Sequence, residues 1–268
     1  MKTNKNKILV LTDFNRMASA TLNNTLGIAK KMDANVEMFH VKSPLEVIQT
    51  ENPLLAKRSL NRAHINTQKS FEDLISSVDL GAISVRYSYS VGRLKKEIKK
   101  KLEEDQPDMV VLGKRLKNPL KLYRDGFTNF IIKSTNCPVM IASSQYDDAT
   151  QSNLVPAFYN DSVSIFSNFR ILGKLKEGYD TVREYKIVSK TDKTINETDY
   201  EDKKRIQFVF ERSDNAINTL SSYLTKNNIN LFFVQWENQL NRDLRTLIDK
   251  VEVPVLIAGK HRAPITFE

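Results

Sequence analysis

The sequence of 268 residues contains a single cysteine, Cys137, so it can form neither a disulfide framework nor a metal site built from several thiolates. Its three histidines, His40, His64 and His261, are far apart and show no metal-ligand spacing. No segment approaches the roughly 18 consecutive apolar residues of a membrane-spanning helix, and no apolar signal segment opens the chain. We therefore expect a cytoplasmic protein without a membrane anchor or a metal.

The sequence also lacks the common signatures of catalysis. It contains no Walker loop and no recognisable arrangement of serine, histidine and aspartate. His40 lies inside an apolar segment and is expected to pack in a core. Cys137 precedes a proline and is expected to be a small buried side chain rather than a nucleophile. The sequence therefore does not predict an enzyme.

Positive charge is concentrated in the first half of the chain. Residues 1–149 hold 24 lysines and arginines against 16 acidic residues, whereas residues 150–268 hold 17 against 16. One contribution is the lysine-rich segment 95–101, which is typical of a solvated helix face. The other is a loop cluster: Lys114, Arg115, Lys117, Lys121 and Arg124. Such a local excess does not by itself predict a nucleic-acid partner, whose binding would have to fall steeply with salt.

Apolar segments alternate with helical periodicity along the whole chain. Strands are predicted at 7–11, 35–41, 84–91, 109–112 and 139–142, and again at 154–159, 183–189, 206–211, 231–236 and 255–259. Helices are predicted around 22–29, at 53–78, 93–105, 128–135, 215–226 and 242–250. This order indicates an α/β protein of two tandem doubly wound parallel-sheet domains, Rossmann-like, the second shortened. We place them at 1–146 and 151–268, on either side of the polar segment 144–153.

The two halves repeat each other in sequence. Asp108–Gly113 is answered 122 residues later by Asn230–Gln235, and Cys137–Ala142 is answered 116 residues later by Val253–Ala258. The second half therefore lacks six residues between these two strands. A candidate ligand loop occupies that place in the first half alone.

Two glycines mark this loop. Gly113 follows a strand and would let the backbone approach a phosphate, while Gly126 precedes the helix predicted from Thr128, whose free N–H groups favour an anion. Between Gln235 and Val253 the second half has no glycine. Trp236, at a place comparable to Gly113, is expected to fill the remnant of a pocket there.

Asp13 follows the first predicted strand. If strands one and four are neighbours, Asp13 and Gly113 face each other across the crevice where ligands of open parallel sheets collect. Asp13 would then accept hydrogen bonds from a ribose hydroxyl. The residues leave other interpretations open: Asp13 as a helix cap, Gly113 and Gly126 as positions that need a positive φ, and the basic cluster as a solubilising surface.

These residues resemble the universal stress protein family, whose domains open with a strand and an aspartate and carry a glycine loop G-x2-G-x9-G-[ST]. Leu11–Phe14 match the opening, and Gly113 and Gly126 stand 13 apart, like the first and third glycines. Asn136–Ile141 match the closing strand, and Ser90–Gly92 match the segment after the third strand. The resemblance covers 1–145 well and 183–268 in degraded form.

The resemblance implies ATP or a related adenine nucleotide as ligand, with the aspartate on the ribose, the end of the second strand on adenine and the glycine loop on the phosphates. The corresponding residues are Thr12, Asp13, Phe14, Val41, Gly113, Lys114, Arg115, Gly126, Phe127 and Thr128. Two positions depart from the family pattern. Leu116 replaces the middle glycine, and Phe127 stands where serine or threonine is expected.

The function expected from this resemblance is stress-response regulation through a nucleotide bound by the first half. The alternative is a nucleotide-independent module, with a vestigial pocket, that recruits an unknown protein partner. A slow nucleotide hydrolase is a third hypothesis. Family members commonly pair through the last strand, so 139–141 and 255–257 are expected to pair within one chain, as an internal pseudo-dimer, or between chains as a homodimer.

Overall fold

The computed structural model describes residues 5–47, 52–114, 124–144, 154–160, 162, 169–189, 204–236 and 242–259. The first half contains β1 (Asn6–Leu11), α1 (Ala18–Met32), β2 (Ala34–Lys42), α2 (Pro44–Val47), α3 (Pro53–Ser76), β3 (Val85–Val91), α4 (Leu94–Asp105), β4 (Met109–Gly113), α5 (Arg124–Ser134) and β5 (Val139–Ala142). The second contains β6 (Pro156–Tyr159), α6 (Arg170–Lys176), β7 (Thr181–Val188), β8 (Lys204–Glu211), α7 (Ala216–Lys226), β9 (Leu231–Trp236), α8 (Arg242–Lys250) and β10 (Val255–Gly259).

All ten strands form one sheet in the order β3-β2-β1-β4-β5-β10-β9-β6-β7-β8. Neighbouring strands are parallel within each half, which confirms the predicted α/β class, and strands one and four are neighbours, as a crevice between Asp13 and Gly113 requires. The halves meet through β5 and β10, which pair antiparallel, with Met140 opposite Leu256. Of the pairings left open by the sequence, the structure contains the one within a single chain.

Helices cover both faces of the sheet, so the central strands are buried on both sides. Ile8 and Val10 of β1 pack with α1 and α3, whereas Leu9 between them belongs to the core under α4. Near-continuous apolar strands are typical of such doubly covered parallel sheets. None of the described helices is long and apolar enough to cross a membrane.

Local signals explain several helix ends. Asn52 caps α3, since its side chain accepts a hydrogen bond from the Leu54 N–H at 3.0 Å, and Pro53 stands at the first helical position, where its missing N–H costs nothing. Gln106 ends α4 in the left-handed conformation, with φ 43°, immediately before Pro107. These ends agree with the predicted helices over 53–78 and 93–105.

Two details differ from the sequence-based expectation. α5 begins at Arg124 rather than near Thr128, so Gly126 lies within its first turn rather than before it. α6 was not predicted, since its seven residues are too short for a clear period. Pro156 stands at the first position of β6, within the strand predicted at 154–159, and this strand lies inside the sheet between β9 and β7.

Strand register shows how the halves correspond. In register with β5, Gly113 occupies the position that Gln235 occupies in register with β10. Trp236 therefore corresponds to Lys114, one residue beyond the place that the sequence comparison suggested. The domain limits 1–146 and 151–268 stay a prediction, because most of the proposed boundary lies outside the described residues.

Candidate functional site

A cavity of about 470 Å³ lies at the carboxyl ends of β1, β2, β4 and β5. The chain leaves β1 in one direction along the sheet and reaches β4 on the other side, so this is the switch point where open α/β sheets bind ligands. The described residues that form its apolar floor are Leu11, Phe39, Leu94, Ile98, Leu112 and Ile141. The volume falls in the range of small-molecule sites.

The loop after β1 forms one rim. Thr12 donates its N–H to the Phe39 carbonyl at 3.0 Å, and the Thr12 hydroxyl accepts from the Phe14 N–H at 3.2 Å. Phe14 has a φ of 53°, an uncommon conformation for a residue with a Cβ. These bonds hold the exposed Asp13 at the cavity, which all three residues line.

Asp13 is not the cap of α1. Its Oδ1 accepts a hydrogen bond from the Asn15 side-chain amide at 2.6 Å, and the Asn15 Oδ1 accepts from the Met17 N–H at 2.7 Å. Met17 itself is the N-cap residue and makes no side-chain cap bond. The capping interpretation of Asp13 is therefore wrong, and Asn15 is the residue that turns the chain into α1.

His40 lines the cavity, although the sequence predicted a packed core residue. It is half-buried, and its Nδ1 lies 2.9 Å from the Thr12 carbonyl. A carbonyl can only accept, so Nδ1 donates and carries the proton. The imidazole also contacts the Phe14 ring, with 4.7 Å between centroids. Its position at the end of β2, beside Val41, indicates a place at the cavity. The apolar residues on either side of it in the sequence suggested a core position instead.

Gly113 is required by packing rather than by a positive φ. A Cβ at Gly113 would lie 2.7 Å from the Thr21 hydroxyl of α1, which is buried and donates to the Met17 carbonyl at 2.8 Å. Among the described glycines only Gly81 has a positive φ, so the φ interpretation of Gly113 and Gly126 is wrong. Gly113 lets α1 approach the end of β4, and its backbone still lines the cavity.

The start of α5 forms the opposite rim. Phe127 and Thr128 line the cavity, whereas Gly126 is exposed, lies outside the lining, and has no neighbouring atom within 4 Å of the place that a Cβ would occupy. The first turn of a helix carries N–H groups without intrahelical partners. Arg115, which the family resemblance adds to the site, lies outside the described residues, as do Leu116, Lys117 and Lys121.

The second half contributes a wall that the sequence did not predict. Arg245, Ile248 and Asp249 of α8 line the cavity of the first half. No linear pattern identifies them, because their position depends on the antiparallel pairing of β5 with β10. Lys114 also spans the two halves, since it lines the cavity while its ammonium group donates to the Val251 carbonyl.

The corresponding region of the second half is filled by an indole. Trp236 is 5% exposed, and a Cβ at Gly259 would lie 3.1 Å from its ring. Trp236 thus packs against the end of β10, in the place where the first half has Lys114 at the rim of its cavity.

The described residues contain neither a metal-binding cluster nor an ionised thiol. No three histidine, cysteine, aspartate or glutamate side chains within them come together as a metal site would require. Burial raises the pKa of the Cys137 thiol to about 12, which outweighs its hydrogen bond with Thr135 and keeps it protonated. Charged side chains from both halves line the cavity: Asp13, Lys114, Arg245 and Asp249.

Comparison with known proteins gives a family and a fold. The model of the universal stress protein family matches residues 5–143. A universal stress protein from Archaeoglobus fulgidus DSM 4304 aligns with a TM-score of 0.65 at 12% identity, covering 96% of this chain and 99% of that one. A putative universal stress protein from Pseudomonas aeruginosa UCBPP-PA14 aligns with a TM-score of 0.54 at 13% identity, covering 96% and 94%. No curated protein sequence gives a significant match.

Proposed function

Since the chain belongs to the universal stress protein family, we propose that the cavity of its first half binds an adenine nucleotide such as ATP. The observation that carries this proposal is the cavity itself. It has about 470 Å³ at the switch point of the sheet, an apolar floor, and polar groups on its rim. Ligand sites commonly combine an apolar surface for a ring with a few polar groups that fix its orientation.

We infer a partner for each part of the nucleotide from the residues that line the cavity. The base lies on the apolar floor, beside Val41 at the end of β2, and the ribose lies at Asp13, whose carboxylate accepts hydrogen bonds from its hydroxyls. The phosphates lie at the start of α5, near Phe127 and Thr128. The positive end of the dipole of α5, which begins at Arg124, favours an anion there.

We propose a regulatory role in a stress response rather than turnover. The Nδ1–H of His40 is directed to the Thr12 carbonyl, and Asp13 accepts from Asn15, so both groups serve the shape of the rim. A protein of this kind transmits the presence of its ligand through a change in stability or association. Formation of ADP that disappears in Asp13→Ala would contradict this role.

The proposal is tested by ligand-dependent melting and by titration calorimetry with ATP, together with mass spectrometry of small molecules released from freshly purified protein. A ligand that binds only the folded state stabilises it by mass action and so raises the melting temperature. At a ligand concentration of 100 times the dissociation constant, the free energy of unfolding rises by roughly 2.7 kcal/mol. We expect this stabilisation, and we expect an adenine nucleotide among the released molecules.

A matched pair at Gly126 isolates the phosphate subsite. Gly126→Asp places a carboxylate in the first turn of α5, and the empty space around this glycine means that the fold tolerates it. Gly126→Asn adds a side chain of equal size without charge. We expect the aspartate to weaken ATP binding about tenfold or more through like-charge repulsion, and the asparagine to have little effect.

Absence of any bound nucleotide, together with no stabilisation in millimolar ATP, would overturn the proposal. The nucleotide-independent interaction module would then be the better account of this protein.

A further inference from the structure

One wall of the first half's cavity belongs to the second half. Arg245, Ile248 and Asp249 of α8 stand at positions i, i+3 and i+4, which share one helix face, and that face is turned to the cavity. Ile248 is 9% exposed and belongs to the apolar core on the side of the sheet that α4 covers. Arg245 is half-buried, and Asp249 is exposed at the rim.

Contacts from both halves fix the carboxyl end of α8. The Lys114 ammonium group donates to the Val251 carbonyl, and the Ser143 hydroxyl donates to the Glu252 carbonyl. From the second half, the Ser221 hydroxyl donates to the Lys250 carbonyl at 2.9 Å. Carbonyls at a helix end lack intrahelical partners and carry partial negative charge, so a lysine there is favourable.

The antiparallel pairing of β5 with β10 also fixes the position of α8 relative to the first half. Val139 lies opposite Ile257 and Ile141 opposite Val255, all in the buried middle of the sheet. A helix that precedes β10 by a short connection is therefore held in a defined position beyond the end of β5. The side chains of α8 that face the cavity are held with it.

Arg245 brings a planar guanidinium to a cavity that also has the helix start of α5 on its rim. A guanidinium presents its N–H donors in a fork that matches two oxygens of one phosphate group. Lys114, the other described cation of the lining, directs a hydrogen bond to the backbone of the second half. Asp249 on the same face opposes an anion and limits how much charge the site accepts.

We propose that Arg245 is an anion-binding residue of the nucleotide site and contacts the phosphate groups of the ligand across the junction of the two halves. This inference rests on the proposed nucleotide function. The second half, which has no glycine between Gln235 and Val253, then takes part in binding by completing the site of the first half.

The test compares ATP with adenosine by calorimetry on the full chain, because adenosine lacks only the phosphates. Arg245→Gln removes the charge, and Lys250→Gln is the matched control, since it removes one positive charge from the same helix at a residue outside the cavity lining. We expect Arg245→Gln to weaken ATP binding about tenfold or more and to change adenosine binding less than about twofold. Lys250→Gln should leave both affinities unchanged.

Two further variants distinguish a loss of phosphate binding from a loss of folding. Arg245→Lys keeps the charge without the fork, so its ATP affinity should fall between those of the wild type and Arg245→Gln. Asp249→Asn removes a negative charge from the same wall and should tighten ATP binding without affecting adenosine. Melting curves in the absence of ligand establish that each variant is folded.

The outcomes separate this inference from the function on which it rests. Wild-type protein that binds neither ATP nor adenosine overturns both. If the wild type and Arg245→Gln bind ATP equally tightly, only the role of Arg245 is overturned. An equal loss of ATP and adenosine binding in Arg245→Gln, with Asp249→Asn unchanged, assigns Arg245 to packing and also overturns the inference.

Discussion

The two halves share a strand register but stabilise the same part of the sheet by different means. In the first half Glu37 of β2 lies between Lys7 at 2.9 Å and Lys101 of α4, which also pairs with Asp105 at 2.7 Å. Register places Arg183 of β7 where the first half has Glu37. The carboxylate of β7 is instead the adjacent Glu184, which pairs with Arg205 and Lys186.

Aromatic packing joins β7 to its helix in the second half. Tyr185 of β7 corresponds to Phe39 of β2 and is fully buried. It stacks on Phe208 at 4.8 Å between centroids and meets the edge of Tyr223 at 6.1 Å. Tyr223 stands 122 residues after Lys101, on the equivalent helix. Ion pairs hold α4 against the sheet in the first half, and buried aromatic rings hold the equivalent helix in the second.

The carboxyl ends of the strands show a second contrast, which bears on function. The first half leaves a cavity beyond β4 and β5, whereas the second packs Trp236 against Gly259. The six residues absent from the second half fall between these strands. In the second half a buried indole occupies the place that corresponds to Lys114 at the rim of the first half's cavity.

The largest effect is expected from opening this filled region. Trp236→Ala removes an indole that is 5% exposed and should lower the free energy of unfolding by about 3–5 kcal/mol, because the cavity left behind collapses only partly. Urea denaturation followed by circular dichroism measures the change. Trp236→Phe keeps most of the packing and should lose less. A loss below about 1 kcal/mol in the alanine variant would show that the indole does not stabilise the second half.

A smaller effect should distinguish the halves by pH. Burial opposes ionisation of Glu37, but hydrogen bonds from Lys101, Lys7 and Ser88 outweigh it and lower its pKa from 4.5 to about 2. A carboxyl group with a depressed folded pKa adds stability above its ordinary pKa. That contribution is lost as the pH falls from 4.5 towards 2. Glu37→Gln should therefore be less stable by about 1–3 kcal/mol at pH 7, and the difference should shrink over this pH window.

Denaturation midpoints measured at intervals between pH 7 and pH 2 provide the check. Glu103→Gln is the control, since Glu103 is 52% exposed in an i,i+4 pair with Lys99 and should change stability by no more than about 0.5 kcal/mol. A difference between Glu37→Gln and wild type that stays constant with pH would rule out the linkage.

The sequence predicted most of the fold because its signals are local. Apolar strands, Asn52 before Pro53, and Pro107 after α4 each identify an element or its end from neighbouring residues. The candidate site depended on more distant relations. Asp13 was predicted from its place after a strand and Val41 from the family resemblance, whereas His40 was assigned to the core because its strand is apolar on both sides.

Two parts of the site could not be read from the sequence for physical reasons. Arg245 and Asp249 reach the cavity only because β5 and β10 pair within the chain, and periodicity does not determine which edges of two sheets meet. Gly113 followed the family pattern, yet a Cβ at this position would meet the Thr21 hydroxyl of α1, a packing relation between residues that are 92 positions apart.

The smallest effect separates the two glycines of the first half's loop. Gly113→Ala places a methyl group 2.7 Å from the Thr21 hydroxyl and should cost about 1–2 kcal/mol, since α1 or the buried threonine must move. Gly126→Ala meets nothing within 4 Å and should stabilise the start of α5 by up to about 1 kcal/mol. Urea denaturation should show a lower free energy of unfolding for Gly113→Ala and a higher one for Gly126→Ala. Adding Thr21→Ala to Gly113→Ala removes the clashing hydroxyl, so the loss in the double variant should be smaller than the sum of the two single losses. Strict additivity would mean that Gly113 is not required for the approach of α1, and its place in the loop would then have to be explained by the ligand alone.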